Sequence, residues 1–241
     1  QKKLDDPLLT LDIFLNPVFT GGVVAAAGAM FVEIGVEMTT TQRLQLVDGF
    51  SPFHAGLAVG VVGFAALPFS VAGGAVLHRI GFRTIISGGF AACVAGALIA
   101  WWGSAIDSFP VFLGGVIILG AGANFAMSVS STAIIGAAPR HRSGMAAGVE
   151  EVSYEFGTLI SVAVSGSMLT SLLLTFLPPD LASTGMDAIY DPSTHDAAAP
   201  AYANAHELLI AFHALSAAIL CAVTAWCFRG NPKSPSPNAS S

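Results

Sequence analysis

Six apolar runs follow one another along this chain, and they constrain it more than any other feature. They cover residues of about 17–40, 53–77, 84–102, 109–137, 144–177 and 207–228. A bilayer's hydrocarbon core takes about 20 apolar residues of helix, and backbone groups inside it must be satisfied within the segment. Each run therefore predicts a transmembrane α-helix. Composition agrees: 54% of residues are hydrophobic and 10% charged, with a mean hydropathy of +0.73, whereas a soluble domain carries about 25% charged residues. The expected class is an all-α membrane protein, with the lipid bilayer as its first partner.

Several function classes drop out early. The nine Lys and Arg are scattered, with no basic stripe and no interleaved aromatic platform, so no nucleic-acid partner is expected. Cys93, Cys221 and Cys227 lie inside apolar runs without ligand spacing, which suggests neither a disulfide framework nor a metal site. His206 and His213 share a face of the last run, but no facing histidine pair completes a haem site. No Gly-rich phosphate loop is present, so no cofactor and no enzyme activity is expected.

Residues 1–16 read as a polar linker followed by a short helix at the membrane surface. Asn16-Pro17 and Ser51-Pro52 are N-cap and first-position signals that open the first two spans. Gly56 and Gly60 form a small-xxx-small pair that predicts close helix approach, and Pro68 predicts a kink. Residues 78–83 and 139–143 are short turns, residues 178–206 form a long acidic external loop, and residues 229–241 a disordered tail. Eight of the nine basic residues, all except Arg43, fall on one side, so the positive-inside rule places both ends in the cytoplasm. The chain opens on Gln1 without a start methionine or leader, and reads as a piece of something longer.

Two stretches carry a family resemblance. GGAVLHRIGFRT, residues 73–84, resembles the cytoplasmic loop signature of the major facilitator superfamily: Gly74, Arg79, Gly81 and Arg83 match, while His78 stands in place of the usual aspartate and Phe82 in place of a basic residue. SGMAAGVEEVSYEFGTLISVAVSGSMLT, residues 143–170, resembles the penultimate span of the 14-span drug:proton antiporters of that superfamily, the quaternary-ammonium and multidrug efflux pumps. DPLLTLDIFLNPVF and LQLVDGFSPFHAG resemble the lead-in and first external loop of their C-terminal domain. The resemblance implies one six-helix half built as two inverted three-helix repeats, whose first, second, fourth and fifth spans line a central cavity. It also implies a missing N-terminal half and a place in a bacterial plasma membrane.

The intramembrane carboxylates fit that picture. Glu151 and Glu155 are one turn apart on the fifth span, as are Glu33 and Glu37 on the first, so each pair shares a helix face. Glu155 is expected about 15 Å into its span from the cytoplasmic side and Glu33 about 24 Å into its own. A carboxylate at such depth costs on the order of 3 kcal/mol, and in a low-dielectric cavity it can take up and release protons near neutral pH or bind a lipophilic cation. Glu151 and Glu155 are the leading candidates for proton coupling and cation binding, followed by Glu150, which has solvation at the cytoplasmic end as its alternative. Glu33 and Glu37 come next, with Glu37 also able to face water or to pair with Arg43. Tyr154 and Asn124 are candidate cavity-lining residues, with simple packing and interhelical hydrogen bonding as their alternatives. The expected function is proton-coupled export of amphipathic or cationic compounds by alternating access; carriage of another small solute, and a non-transporting membrane module, remain the alternatives.

Overall fold

The computed structural model describes residues 11–229. After a short 3₁₀ turn, Leu11–Leu15, come α1 (Pro17–Leu46), α2 (Pro52–Ala105), α3 (Phe109–Ala137), α4 (Ser143–Phe176), α5 (Asp187–Tyr190) and α6 (His195–Cys227). All but α5 are long and apolar enough to cross a membrane. At 54 residues α2 is about 80 Å of helix, enough for two crossings. Its arms, 52–80 and 82–105, meet at Gly81, whose φ of 78° and ψ of 164° lie in a region open essentially to glycine. Six apolar segments result, as expected, and the turn expected at 78–83 shrinks to that one residue. At Pro68, where a kink is expected, the backbone stays within helical dihedrals, and it leaves them only at Gly81. Neighbouring helices and local adjustment commonly satisfy the carbonyl a membrane proline leaves free.

Two further boundaries differ from the sequence reading. Helix α6 starts at His195, inside the expected 178–206 loop. The run after it is alanine-rich, and alanine has the highest helix propensity. Ala198, Ala201, Tyr202, Ala205 and Leu209 fall on one buried face, packed with Leu173 of α4, with Leu177 just past its end, and with Ala188 and Ile189 of α5. The segment between α4 and α6 is thus a folded cap. Asp191 fixes its turn by accepting hydrogen bonds from the Ser193 backbone N–H at 2.8 Å and hydroxyl at 2.7 Å, which hold its carboxyl below the usual range. The expected linker and surface helix at 1–16 is seen only in its last residues, a 3₁₀ turn whose Asp12 accepts from Arg142 at 3.0 Å; residues 1–10 and 230–241 lie outside the described residues.

Helix α1 is the axle, touching α2, α3, α4 and α6. A row of small residues on α4, including Ser153, Gly157, Ser161 and Ser165, is buried, and Gly157 sits directly on the Ala27 carbonyl of α1. On the other side His213 of α6 occupies the space where a side chain on Gly35 would be. Its Nδ1 donates to the Leu209 carbonyl at 2.9 Å, so Nε2 accepts from the Ser165 hydroxyl at 3.2 Å.

The second arm of α2 and α3 form the tightest pair. Gly89, Gly96 and Gly103 recur every seven residues and meet Gly122, Gly115 and Phe112 backbone to backbone. A Cβ on Gly96 would stand 2.6 Å from the Gly115 carbonyl, and one on Gly122 would stand 2.5 Å from that of Gly89. Membrane helices associate through such small-residue seams because lipid supplies no hydrophobic drive between them.

Where α1 ends and α6 begins, a buried polar chain ties three helices together. Arg43, 8% exposed, donates from Nη1 to Ser104 Oγ at 2.6 Å, and the Ser104 hydroxyl donates to Glu207 Oε1 at 2.8 Å. The guanidinium also lies 4.8 Å above the Phe112 ring, and its Nε is 3.7 Å from Asp48 Oδ2. Burial pushes the Asp48 carboxyl up, against the pull of Arg43. Arg43 is therefore committed away from Glu37, the partner considered for it.

Two outcomes follow. Gly115→Ala should destabilise the purified protein by about 1–3 kcal/mol, whereas Gly114→Ala, which has open space around it, should leave its thermal unfolding in detergent unchanged. Arg43→Ala leaves Glu207 without its relayed cation and should cost about 3 kcal/mol or more by the same measurement.

Candidate functional site

Helix α1 presents Glu33 and Glu37 on the face opposite Gly35 and its His213 contact. Between α1, the first arm of α2 and α3 lies a half-open cleft of about 410 Å³, and both carboxylates line it with Thr41. The remaining wall is valine, leucine and glycine. Gly56, Gly60 and Gly63 of α2 face it, and nothing lies within 4 Å of where their side chains would begin. The close helix approach expected from Gly56 and Gly60 is thus corrected: these glycines keep the cleft wide. The first arm closes on α3 only further along, at Val62 against Gly120 and Gly73 against Ser128.

Glu33 is anchored. Asn124 of α3 donates from Nδ2 to Glu33 Oε1 at 2.7 Å and to the Gly120 carbonyl at 3.0 Å. Both partners are acceptors, so the amide orientation is fixed by its surroundings. Asn124 stands behind Glu33 and is not among the residues lining this cleft; its interhelical bond is the alternative reading given for it. Glu37 is exposed, and its carboxylate has no hydrogen-bond or ion-pair partner among the described residues. No Lys, Arg or His lines the cleft.

A second node lies along α3. Ser131 donates to Glu150 Oε2 at 3.1 Å, and the Tyr154 hydroxyl donates to Glu150 Oε1 at 2.8 Å with Ser130 Oγ 3.4 Å away. Glu150, the member of the α4 trio with the solvated alternative, is therefore half-buried and the one held in the seam. Tyr154 orients a carboxylate. Glu151 and Glu155, ranked first, are exposed on the side of α4 turned away from the row that meets α1. Sequence reasoning missed Ser130 and Ser131, although Asn124 and Ser131 are seven residues apart, about 10 Å along one face of α3. The two nodes are thus staggered on a single helix.

The residues that match the family's loop signature lie at and around the bend of α2. Gly81 makes the bend, Gly74 has open space around it, and His78, Arg79 and Arg83 are exposed. Among the described residues no group of three His, Cys, Asp or Glu is placed to hold a metal ion.

Comparison with known proteins puts this geometry in context. Residues 9–177 match the Major Facilitator Superfamily. The methyl viologen resistance protein SmvA of Salmonella typhimurium is 30% identical over 168 residues, covering 68% of this chain and 33% of that protein. The multidrug resistance protein Stp of Mycobacterium tuberculosis is 28% identical over 181 residues, 75% of this chain and 34% of its own length. The multidrug efflux pump LfrA of Mycolicibacterium smegmatis is 28% identical over 174 residues, 71% and 34%. The chain therefore spans about a third of the length of these relatives. In structure it resembles a bacterial homologue of the human lysosomal transporter Spinster, crystallised inward-facing and unoccupied, with a TM-score of 0.71 and 14% identity over 95% of this chain and 52% of that one. The family match over most of the chain, the six apolar segments and the shared fold lead to one conclusion: this chain belongs to the Major Facilitator Superfamily.

Proposed function

We propose that the chain is one six-helix half of a proton-coupled multidrug efflux antiporter that exports cationic and amphipathic compounds by alternating access. The observation that carries this reading is the cleft between α1, α2 and α3: two carboxylates, one anchored by Asn124, in an otherwise apolar wall without a basic residue. An organic acid or a sugar calls for cationic or multiple hydrogen-bonding side chains, which this wall lacks. The names of the relatives, a methyl viologen resistance protein and two multidrug proteins, support the same substrate class.

In this reading Glu33 and Glu37 receive the cation, and Glu150, held by Tyr154 and Ser131, carries a proton on the neighbouring seam. Glu151 and Glu155 face the companion half and extend the acidic lining toward it. Arg79, Arg83 and Arg142 set the cytoplasmic side, and both ends of this segment lie in the cytoplasm of a bacterium whose plasma membrane holds the pump. The distribution of basic residues supports that orientation.

The test is dye-driven proton release from inverted vesicles carrying the full-length protein, with a lipophilic quaternary ammonium dye and variants at equal expression. Glu33→Gln and Glu150→Gln should each lower it at least tenfold, a loss of about 1.4 kcal/mol or more of coupling. If these variants and Glu151→Gln and Glu155→Gln all exchange protons like the wild type, the carboxylates are structural and the proposal fails.

A further inference from the structure

Helix α6 and the second arm of α2 lie antiparallel in a fixed register. The Ser104 hydroxyl donates to Glu207 at 2.8 Å, the Cys221 thiol donates to the Ser87 carbonyl at 3.2 Å, and the Phe82 and Phe228 rings stack with centroids 5.9 Å apart. Residue numbers fall on one helix as they rise on the other, so the same register sets Arg83 and Arg229 side by side at the end of the pair. Phe228 is buried against Gly21 of α1, which fixes the backbone just before Arg229. From Glu207 to Arg229 the helix rises about 33 Å, and the hydrocarbon core of a bilayer is about 30 Å thick. The two arginines therefore stand at headgroup level.

Nothing on these two helices answers their charge. Both arginines are exposed, and neither has an ion-pair partner among the described residues. Helix α2 contains no Asp or Glu, and α6 has only Asp196 and Glu207, toward its other end. Asp12, just before α1, is held by Arg142. Beside the arginines an apolar stripe runs along the outside of α6: Leu215, Ile219 and Trp226 share a face and are exposed, Trp226 at 68%. Tryptophan favours the membrane–water interface. We infer that this corner binds an anionic phospholipid, its phosphate on Arg83 and Arg229 and an acyl chain along Ile219 and Trp226. A guanidinium takes a phosphate through paired, charge-assisted hydrogen bonds, whereas a zwitterionic headgroup brings its own cation and gains less. Because Gly81 makes the bend just before Arg83, the bound lipid ties that bend to the end of α6. The site is separate from the cleft between α1, the first arm of α2 and α3.

The experiment titrates purified full-length protein in detergent with phosphatidylglycerol and, separately, with phosphatidylcholine of the same chains, and reads bound lipid by native mass spectrometry. Phosphatidylglycerol should bind at least tenfold more tightly. A basic residue at a membrane surface is worth about fivefold in affinity. Arg83→Ala and Arg229→Ala should therefore each weaken phosphatidylglycerol about fivefold, and the double change about 25-fold. Phosphatidylcholine binding should stay the same in the double variant, which also reports that it is folded. Arg140→Ala, an exposed arginine on the turn between α3 and α4, should leave both lipids within about threefold of wild type. Millimolar inorganic phosphate should not displace the lipid. Equal binding of the two lipids by wild type, or an unchanged phosphatidylglycerol Kd in the double variant, overturns the inference. So does an equal loss in Arg140→Ala, which would mean diffuse surface charge, or displacement by phosphate, which would mean a site for the free anion.

Discussion

A carboxylate within a membrane helix has to find a hydrogen-bond donor, a counter-charge or water, and the arrangement of this bundle follows from how each acidic side chain meets that demand. Glu207 receives Arg43 through Ser104, and in doing so joins α1, α2 and α6. Glu150 takes the hydroxyls of Tyr154 and Ser131. Glu33 takes the amide of Asn124. In the last two cases the donor is neutral, so the carboxylate is held in place by hydrogen bonds with no cation beside it. That difference separates a structural carboxylate from a candidate functional one more sharply than depth in the span does.

Holding such groups in register needs a scaffold that does not give. The second arm of α2 and α3 lie backbone to backbone along a glycine seam, and α1 is wedged between Gly157 of α4 and His213 of α6. Helix α3 gains a fixed position from that seam, and α3 supplies the donors for both acidic nodes. The first arm of α2 is different. Gly56, Gly60, Gly63 and Gly74 on it meet open space, and large apolar side chains such as Phe53, Phe64 and Val71 are exposed along it. A rigid wall on one side and a loosely packed arm on the other leave the cleft between them.

Much of this was legible in the chain. The apolar runs and the two proline caps give the spans, and the positions of the glutamates mark α1 and α4. What could not be read is pairing across distance: nothing near Arg43 in sequence points to Ser104 or Glu207, and Asn124 is separated from Glu33 by two other spans. Local signals misled in two places. Gly56 and Gly60 have the spacing of a packing motif, yet their helix stands off at that level; and the acidic, alanine-rich stretch after His195 looks like linker while its alanines form a buried helical face. The seven-residue recurrence of Gly89, Gly96 and Gly103 was a readable signal of the seam. Among the glutamates, the order of interest changes because hydroxyl donors on α3 single out Glu150, whereas Glu151 and Glu155 turn away from the packed core.

The central claim, that the cleft between α1, α2 and α3 receives a cation on Glu33, is tested most directly by occupancy. A cysteine introduced at Val59, in the cleft wall opposite α1, is labelled with a small maleimide in the full-length protein, with and without a quaternary ammonium dye. The account predicts that dye slows labelling at least tenfold in the wild-type background and has little effect when Glu33→Gln is added. Labelling that ignores dye, or protection that survives Glu33→Gln undiminished, would contradict it.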